Sequence, residues 1–204
     1  MNRYEQRKAA THQRLIAAAR ELIGAQGYEN VDILDITERA NLSKATFYQH
    51  FPNKEACVRA LILQGFEALT QQIFDSERTT PNRWEWARDS FYKLFAWADE
   101  NRRFVLIMVG GHASSELNSF GRAYMAQISQ RIISERMPWF RELYAPELAA
   151  QFITGATIQM LGWWLEAETP YSANDMALLL TELFKRAFGM KSDGAEAGME
   201  ASLS

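Results

Sequence analysis

The stretch VDILDITERANLSKATFYQHFPNKE, residues 31–55, decides the fold. Asp32 stands where a helix N-cap would, because a short carboxylate can accept the unpaired backbone N–H groups of a first turn, and Asp35 falls at the third helical position. Ile33, Ile36, Thr37 and Ala40 then share one face at helical spacing. Asn41-Leu42-Ser43 interrupts this short helix, and Ser43 can cap a second one through Ala45, Thr46, Phe47 and Tyr48. Pro52-Asn53 ends that helix just after Phe51. Two short helices around a three-residue turn form the layout of a helix-turn-helix. Clamped by Ile36, Ala40, Leu42, Phe47 and Phe51, the second helix would stand proud and expose Lys44, Ala45, Thr46, Tyr48, Gln49 and His50. Such hydroxyl, amide, imidazole and ammonium groups bond phosphate oxygens and base edges, and a helix fits a major groove about 12 Å wide. Spacing alone leaves a second reading open, a plain helical hairpin whose polar face is only solvated.

Outward from this stretch every segment reads as helix. Upstream, Leu15, Ile16, Ala19, Leu22 and Ile23 recur at three- and four-residue spacing, which predicts a helix over 11–26 stopped by Gly24 and Gly27. Downstream, a fourth helix opens at Lys54 and runs to about Phe74. Further helices are expected over 84–100, 103–112, 120–136, 147–168 and 173–188, punctuated by Pro81, Gly110-Gly111, Pro138, Pro146 and Pro170. No alternating pattern of any length suggests a strand. The fold expected is therefore all-α, with about nine helices. A three-helix unit over 1–55 joins a larger helical unit over 56–190, with the boundary inside the fourth helix near Cys57. Residues 191–204, rich in Gly, Ala, Ser and Glu, are expected to be a disordered tail.

Composition narrows the function classes. The 204 residues carry 22 Lys and Arg, 25 Asp and Glu and three His, a net charge of -3 that excludes a polycation. With 48% hydrophobic and 23% charged residues, disorder as the main state is excluded as well. Residues 1–54 nevertheless hold eight Lys and Arg against six acids, a net +2, while the rest carries 14 against 19, a net -5. The longest apolar run, 104–111, is far short of the roughly 18–20 residues that a bilayer crossing needs, and the amino terminus has no hydrophobic signal core. A cytoplasmic protein with no membrane partner is expected. The single Cys57 excludes an intrachain disulfide and a multi-Cys zinc site, and reads as a small packed residue. His112 and Glu116 are four apart, but Gly110-Gly111 breaks the helical period beside them and no third ligand is near, so no metal is expected. The sequence has no Gly-rich phosphate loop, no nucleophile elbow and no paired carboxylates clearly placed on one cleft, so neither an enzyme nor a cofactor is expected.

Residues 31–55 resemble the signature of the tetracycline-repressor (TetR) family of transcriptional regulators. The resemblance covers the first quarter of the chain, including the first helix ending in Gly27-Tyr28, and the chain length and helix count also suit the family. Three positions depart from its pattern: Asp32 stands for a capping Thr, Asn41 for a turn Gly, and Ala45 for a frequent Gly. Asp caps helices and Asn accepts left-handed geometry, whereas Ala45 adds a methyl group suited to a thymine methyl. The resemblance implies that Thr46, Tyr48 and Lys54 bind phosphates and that Lys44, Ala45 and Gln49 lie near base edges. His50 would either touch phosphate or cap its own helix. Arg3, Arg7 and Lys8 would be either an arm reaching the minor groove or backbone, or a solvated disordered start.

The resemblance further implies that residues 56–190 bind a small effector and dimerise. Trp97, Met108, His112, Tyr124 and Trp163 are the candidate lining of a mainly apolar effector site, although ordinary core spacing would place aromatic and Met side chains there too. The last two helices carry more apolar coverage than one core face needs, and Ala156, Met160, Trp164, Leu180 and Phe184 are the expected homodimer contacts. The expected function is that of a ligand-released repressor reading a palindromic operator in double-stranded DNA. The competing class is a helical small-molecule-binding protein or enzyme whose amino-terminal helices are only structural.

Overall fold

The computed structural model of the protein describes residues 2–75, 82–109, 114–136, 145–167 and 169–188. Among them are nine helices and no strand. Helix α1 spans Arg3–Gln26, α2 Ile33–Arg39, α3 Lys44–His50 and α4 Lys54–Asp75. They are followed by α5 (Arg83–Glu100), α6 (Arg102–Val109), α7 (Ser115–Arg136), α8 (Pro146–Glu166) and α9 (Ala173–Phe188).

Helix α1 begins eight residues before the expected start at Thr11. The reason is a capping box that apolar periodicity does not register. Asn2 Oδ1 accepts from Tyr4 N at 2.6 Å, and Asn2 N donates to Glu5 Oε2 at 2.9 Å. Arg3, Arg7 and Lys8 therefore sit on exposed turns of α1 itself, which corrects the disordered-start reading. At the other end Gly27, at φ +85°, lets its N–H reach Ile23 O at 2.9 Å.

The expected caps of α2 and α3 are in place. Asp32 Oδ1 accepts from Asp35 N at 3.0 Å while Asp35 Oδ2 accepts from Asp32 N at 2.7 Å, so the two acids form a reciprocal box. Asn41 takes φ +51° in the turn, the left-handed geometry that Asn tolerates. Ser43 Oγ accepts from Thr46 N at 3.1 Å. Ile36 and Phe47 are fully buried, Ala40 and Phe51 nearly so, and Leu42 half-buried, so these residues clamp the two helices as expected. Arg14 on α1 closes the unit by donating Nη2 to Ala40 O at 2.6 Å.

Helix α4 continues into the larger unit, where α5 lies along α9 and α7 along α8. Gly65 sits where a Cβ would be 3.2 Å from the Trp97 ring, so a side chain there would push that ring back by a few tenths of an ångström. Two arginines at the start of α6 grip main-chain carbonyls, Arg103 across to α1 of the three-helix unit and Arg102 to α8 within the larger unit. Arg103 Nη1 donates to Gly24 O at 3.1 Å and to Ala25 O, while Arg102 Nη2 donates to Leu165 O.

Helix α7 starts five residues earlier than the expected Phe120 because Ser114 Oγ accepts from Leu117 N at 3.2 Å. Helix α8 opens on Pro146 itself, one residue before the expected start, as a proline at the first helical position allows. Helix α9 matches its expected span and is capped reciprocally by Ser172 and Asp175. The expected end of the sixth helix at His112 and the expected tail over 191–204 fall outside the described residues.

The faces of α8 and α9 require a correction. Trp164, Leu180 and Phe184, expected at a dimer contact, are 6%, 2% and 7% exposed inside their own protomer. Trp164 meets Phe95 edge-on at 5.3 Å and donates Nε1 to Tyr171 O at 2.8 Å, and Phe184 stacks on Phe91 at 5.5 Å. Ala156 and Met160 are half-buried at the margin. The apolar side chains left open are Leu148, Phe152 and Trp163 on α8 and Leu178, Leu179 and Leu183 on α9.

Candidate nucleic-acid interface and ligand cavity

Helix α3 is anchored from beneath by Phe47 and Phe51, whose rings are 5.7 Å apart. Lys44, Ala45, Tyr48 and Gln49 are exposed, and Thr46 and His50 half-buried. Tyr48 is 56% exposed although its ring rests edge-on against Phe47 at 5.7 Å, so packing fixes the ring while its hydroxyl faces solvent. Thr46 Oγ1 lies 2.9 Å from Ser43 Oγ, which pre-sets that hydroxyl at the amino end of α3. The exposed groups hold donors and acceptors of both kinds on a short rigid helix, as base and phosphate recognition needs.

His50 is not isolated. Its ring lies 5.7 Å from His12 of α1, and His12 lies 4.6 Å from Phe51. Burial, then the charges of His12 and Lys8, hold His50 below the ordinary value of 6.5. Burial, then Lys8, does the same to His12. His50 is therefore a neutral imidazole near neutral pH. No sequence signal pointed to His12, because its partner comes from a distant part of the chain.

Lys54 has a larger part than its expected phosphate contact. Its Nζ donates to Tyr28 O at 2.9 Å and Val31 O at 2.8 Å, and lies 4.0 Å from the Tyr28 ring centroid. An ammonium has three N–H groups, so two are engaged in fixing the loop between α1 and α2. Any phosphate contact falls to the third. Position in the sequence suggested an anion site at the start of α4, whereas the side chain turns back onto the loop.

In the larger unit a cavity of about 150 Å³ lies among α4, α5, α7, α8 and α9. Phe66, Leu69, Trp84, Trp86, Phe91, Ile128 and Phe184 are among its walls. None of its described lining residues carries a charge. The expected lining set is not what forms it. Trp97 and Tyr124 each pack on the wall residue Phe66, at 5.7 and 5.6 Å, and do not line the cavity themselves. Trp163 is 43% exposed beside Tyr171 and belongs to the open apolar stripe. His112 and the side chain of Met108 lie outside the described residues. Trp86 and Thr157 line the cavity unanticipated, and Phe184 moves to it from the expected dimer contact.

Cys57 is buried, and burial pushes its thiol up to about 12, so it carries no reactive thiolate at neutral pH. No group of three or more metal-ligating side chains occurs among the described residues, and no described helix is long and apolar enough to cross a membrane.

A helix-turn-helix whose second helix is exposed, joined by one long helix to an apolar cavity, defines a helical DNA-binding regulator. The chain belongs to the tetR family of bacterial regulatory proteins, whose profile matches residues 15–61, and a transcriptional regulator C-terminal region profile matches residues 85–186. The HTH-type transcriptional regulator YvkB of Bacillus subtilis is 39% identical over 54 residues, which is 26% of this chain and 29% of that one. The aligned stretch thus spans less than a third of that relative's length. Two solved structures share the fold along nearly the whole chain. RolR in complex with resorcinol has TM-score 0.70 and 23% identity over 98% of this chain and 97% of the other. Thermus thermophilus FadR, a TetR-family repressor in complex with lauroyl-CoA, has TM-score 0.69 and 19% identity over 90% and 97%.

Proposed function

We propose that the protein is a cytoplasmic, homodimeric transcriptional repressor that binds a palindromic operator in double-stranded DNA and is released by a small, mainly apolar effector. The observation that carries this reading is the course of α4. It begins at Lys54, which holds the loop under the helix-turn-helix, and about 18 Å further along it supplies Phe66 and Leu69 to the cavity wall. Occupancy of the cavity and placement of α3 are thereby joined by one rigid element. An effector that fits only the conformation with wrongly spaced α3 helices would draw the population away from DNA by its differential affinity for the two states.

On the duplex, Lys44, Ala45 and Gln49 take the base edges, and Thr46, Tyr48 and His50 the phosphates. Lys54 acts first by holding the loop and second through its remaining N–H. Leu148, Phe152, Trp163, Leu179 and Leu183 replace the buried Trp164, Leu180 and Phe184 as the core of the proposed two-fold contact, with Ala156 and Met160 at its edge. A pair of α3 helices related by that axis would read two half-sites one or more helical turns apart. The resorcinol and lauroyl-CoA complexes of RolR and FadR support a sensor role for the larger unit.

Selection of bound duplexes from a random pool, with sedimentation velocity on the same protein, tests the reading. The expected results are a palindrome, a dimer at micromolar concentration and steep loss of affinity with salt. Tyr48→Phe should weaken operator and non-operator binding alike, by up to about tenfold, because one phosphate hydrogen bond is lost. A monomer that selects no sequence would defeat the reading.

A further inference from the structure

Most hydroxyls in the cavity wall whose bonds are defined are matched within the protein. Ser90 Oγ donates to Trp86 O at 2.8 Å, and Thr154 Oγ1 donates to Ser129 Oγ at 3.0 Å. Two polar atoms of the same wall are not. Trp86 Nε1 and Thr157 Oγ1 are fully buried without a hydrogen-bond partner among the described residues, on side chains 8% and 4% exposed. Buried donors left unpaired are rare because each loses its hydration without replacement. An indole N–H can only donate, so its missing partner is an acceptor, while the threonine hydroxyl can take either role.

The remaining wall sets the rest of the ligand. Apolar cavities of this volume hold a benzene-sized ring. With no charged lining side chain described, an ionised group would be buried without compensation. We infer that the cavity binds a neutral compound of about six to ten heavy atoms, with a flat or compact apolar body and a carbonyl-type or hydroxyl oxygen that accepts from Trp86 Nε1 and pairs with Thr157. This rests on the effector role proposed above and deepens it. The class excludes a free carboxylate as the preferred ligand, and it makes Trp86 and Thr157 the residues that select an oxygenated ring over its hydrocarbon counterpart.

The full-length protein can be titrated calorimetrically with three probes of similar size: acetophenone, ethylbenzene and benzoate. Acetophenone is expected to bind about tenfold tighter than ethylbenzene, as one satisfied buried hydrogen bond provides, and benzoate should bind more weakly than acetophenone. Trp86→Phe should bring the affinity for acetophenone towards that for ethylbenzene, the ratio of the two being the readout, and Thr157→Val should narrow the same gap. Equal affinities for acetophenone and ethylbenzene in the wild-type protein, tightest binding of benzoate, or no binding of any probe would overturn the inference, without reliance on a variant that misfolds. Operator binding is measured on the same samples with and without acetophenone. Selectivity for acetophenone with unchanged operator affinity would leave the ligand class standing and sink the effector role. Loss of all probe binding with operator affinity intact would do the reverse to the ligand class alone.

Discussion

The two units of the molecule share one apolar core, which in the reader takes in Leu15, Ile36, Phe47 and Phe51, and they differ in what surrounds it. The three-helix reader is fastened by polar contacts of fixed geometry: reciprocal caps at Asn2/Glu5 and Asp32/Asp35, Arg14 on Ala40 O, and Lys54 on Tyr28 O and Val31 O. Around the cavity of the larger unit the contacts are mainly between aromatic and branched apolar side chains, such as Phe91 on Phe184 and Phe66 on Trp97, whose attraction is non-directional. Directional bonds preserve the placement of α3, while dispersion contacts around a void allow walls to adjust to a guest. The expectation that follows is a reader that keeps its shape and a sensor whose walls adjust.

Core truncation should show the contrast most strongly. Phe47→Ala removes a fully buried ring from the reader and should cost about 3–5 kcal/mol. Phe184→Ala, at the edge of an existing void, should cost less because part of its ring already lacks neighbours. Urea unfolding of both variants measures the difference, and equal costs would remove the distinction between the units. A smaller effect is expected from Lys54→Met, which keeps the stem but leaves two carbonyls without their donor. It should lower stability by about 1–3 kcal/mol and weaken operator binding, yet leave affinity for a cavity ligand unchanged in calorimetry.

The smallest effect concerns His12 and His50. Both are held below 6.5 in the folded state, so the unfolded chain takes up protons first as pH falls. Stability is full above about pH 6.5 and should decline as pH drops through that value towards the lowered folded ones. His12→Gln should flatten this part of a melting-temperature profile, and an unchanged slope would count against the pair.

The reader was legible in the sequence because its signals are local. Asp32, Ser43 and Pro52 mark helix ends within a few residues of where they act, and short amphipathic helices leave one choice of buried face. Two exceptions there came from distance, since His12 meets His50 and Lys54 meets Tyr28 across stretches that no spacing rule connects, and a third, the start of α1, came from the Asn2/Glu5 cap that apolar spacing does not register. In α8 and α9 apolar residues occur on nearly every side, so periodicity does not say which side meets the protomer's own core. Trp164 and Phe184 turned inward while Trp163 and Leu183, each one residue away, turned out. The cavity was illegible for a related reason. A tryptophan that lines a void and one that fills a core, Trp86 and Trp97 here, have the same spacing and differ only in what stands opposite.

Arg103 gives the joint between the two units an uncommon property. Its acceptors, the carbonyls of Gly24 and Ala25, belong to every amino acid alike, so the latch depends on where the end of α1 is and is indifferent to which side chains it carries. Arg14 and Lys54 follow the same habit inside the reader. Substitutions on the DNA-facing surface can therefore change what is read without altering the fastening, and a reader transplanted from a sister protein would find the same grip waiting.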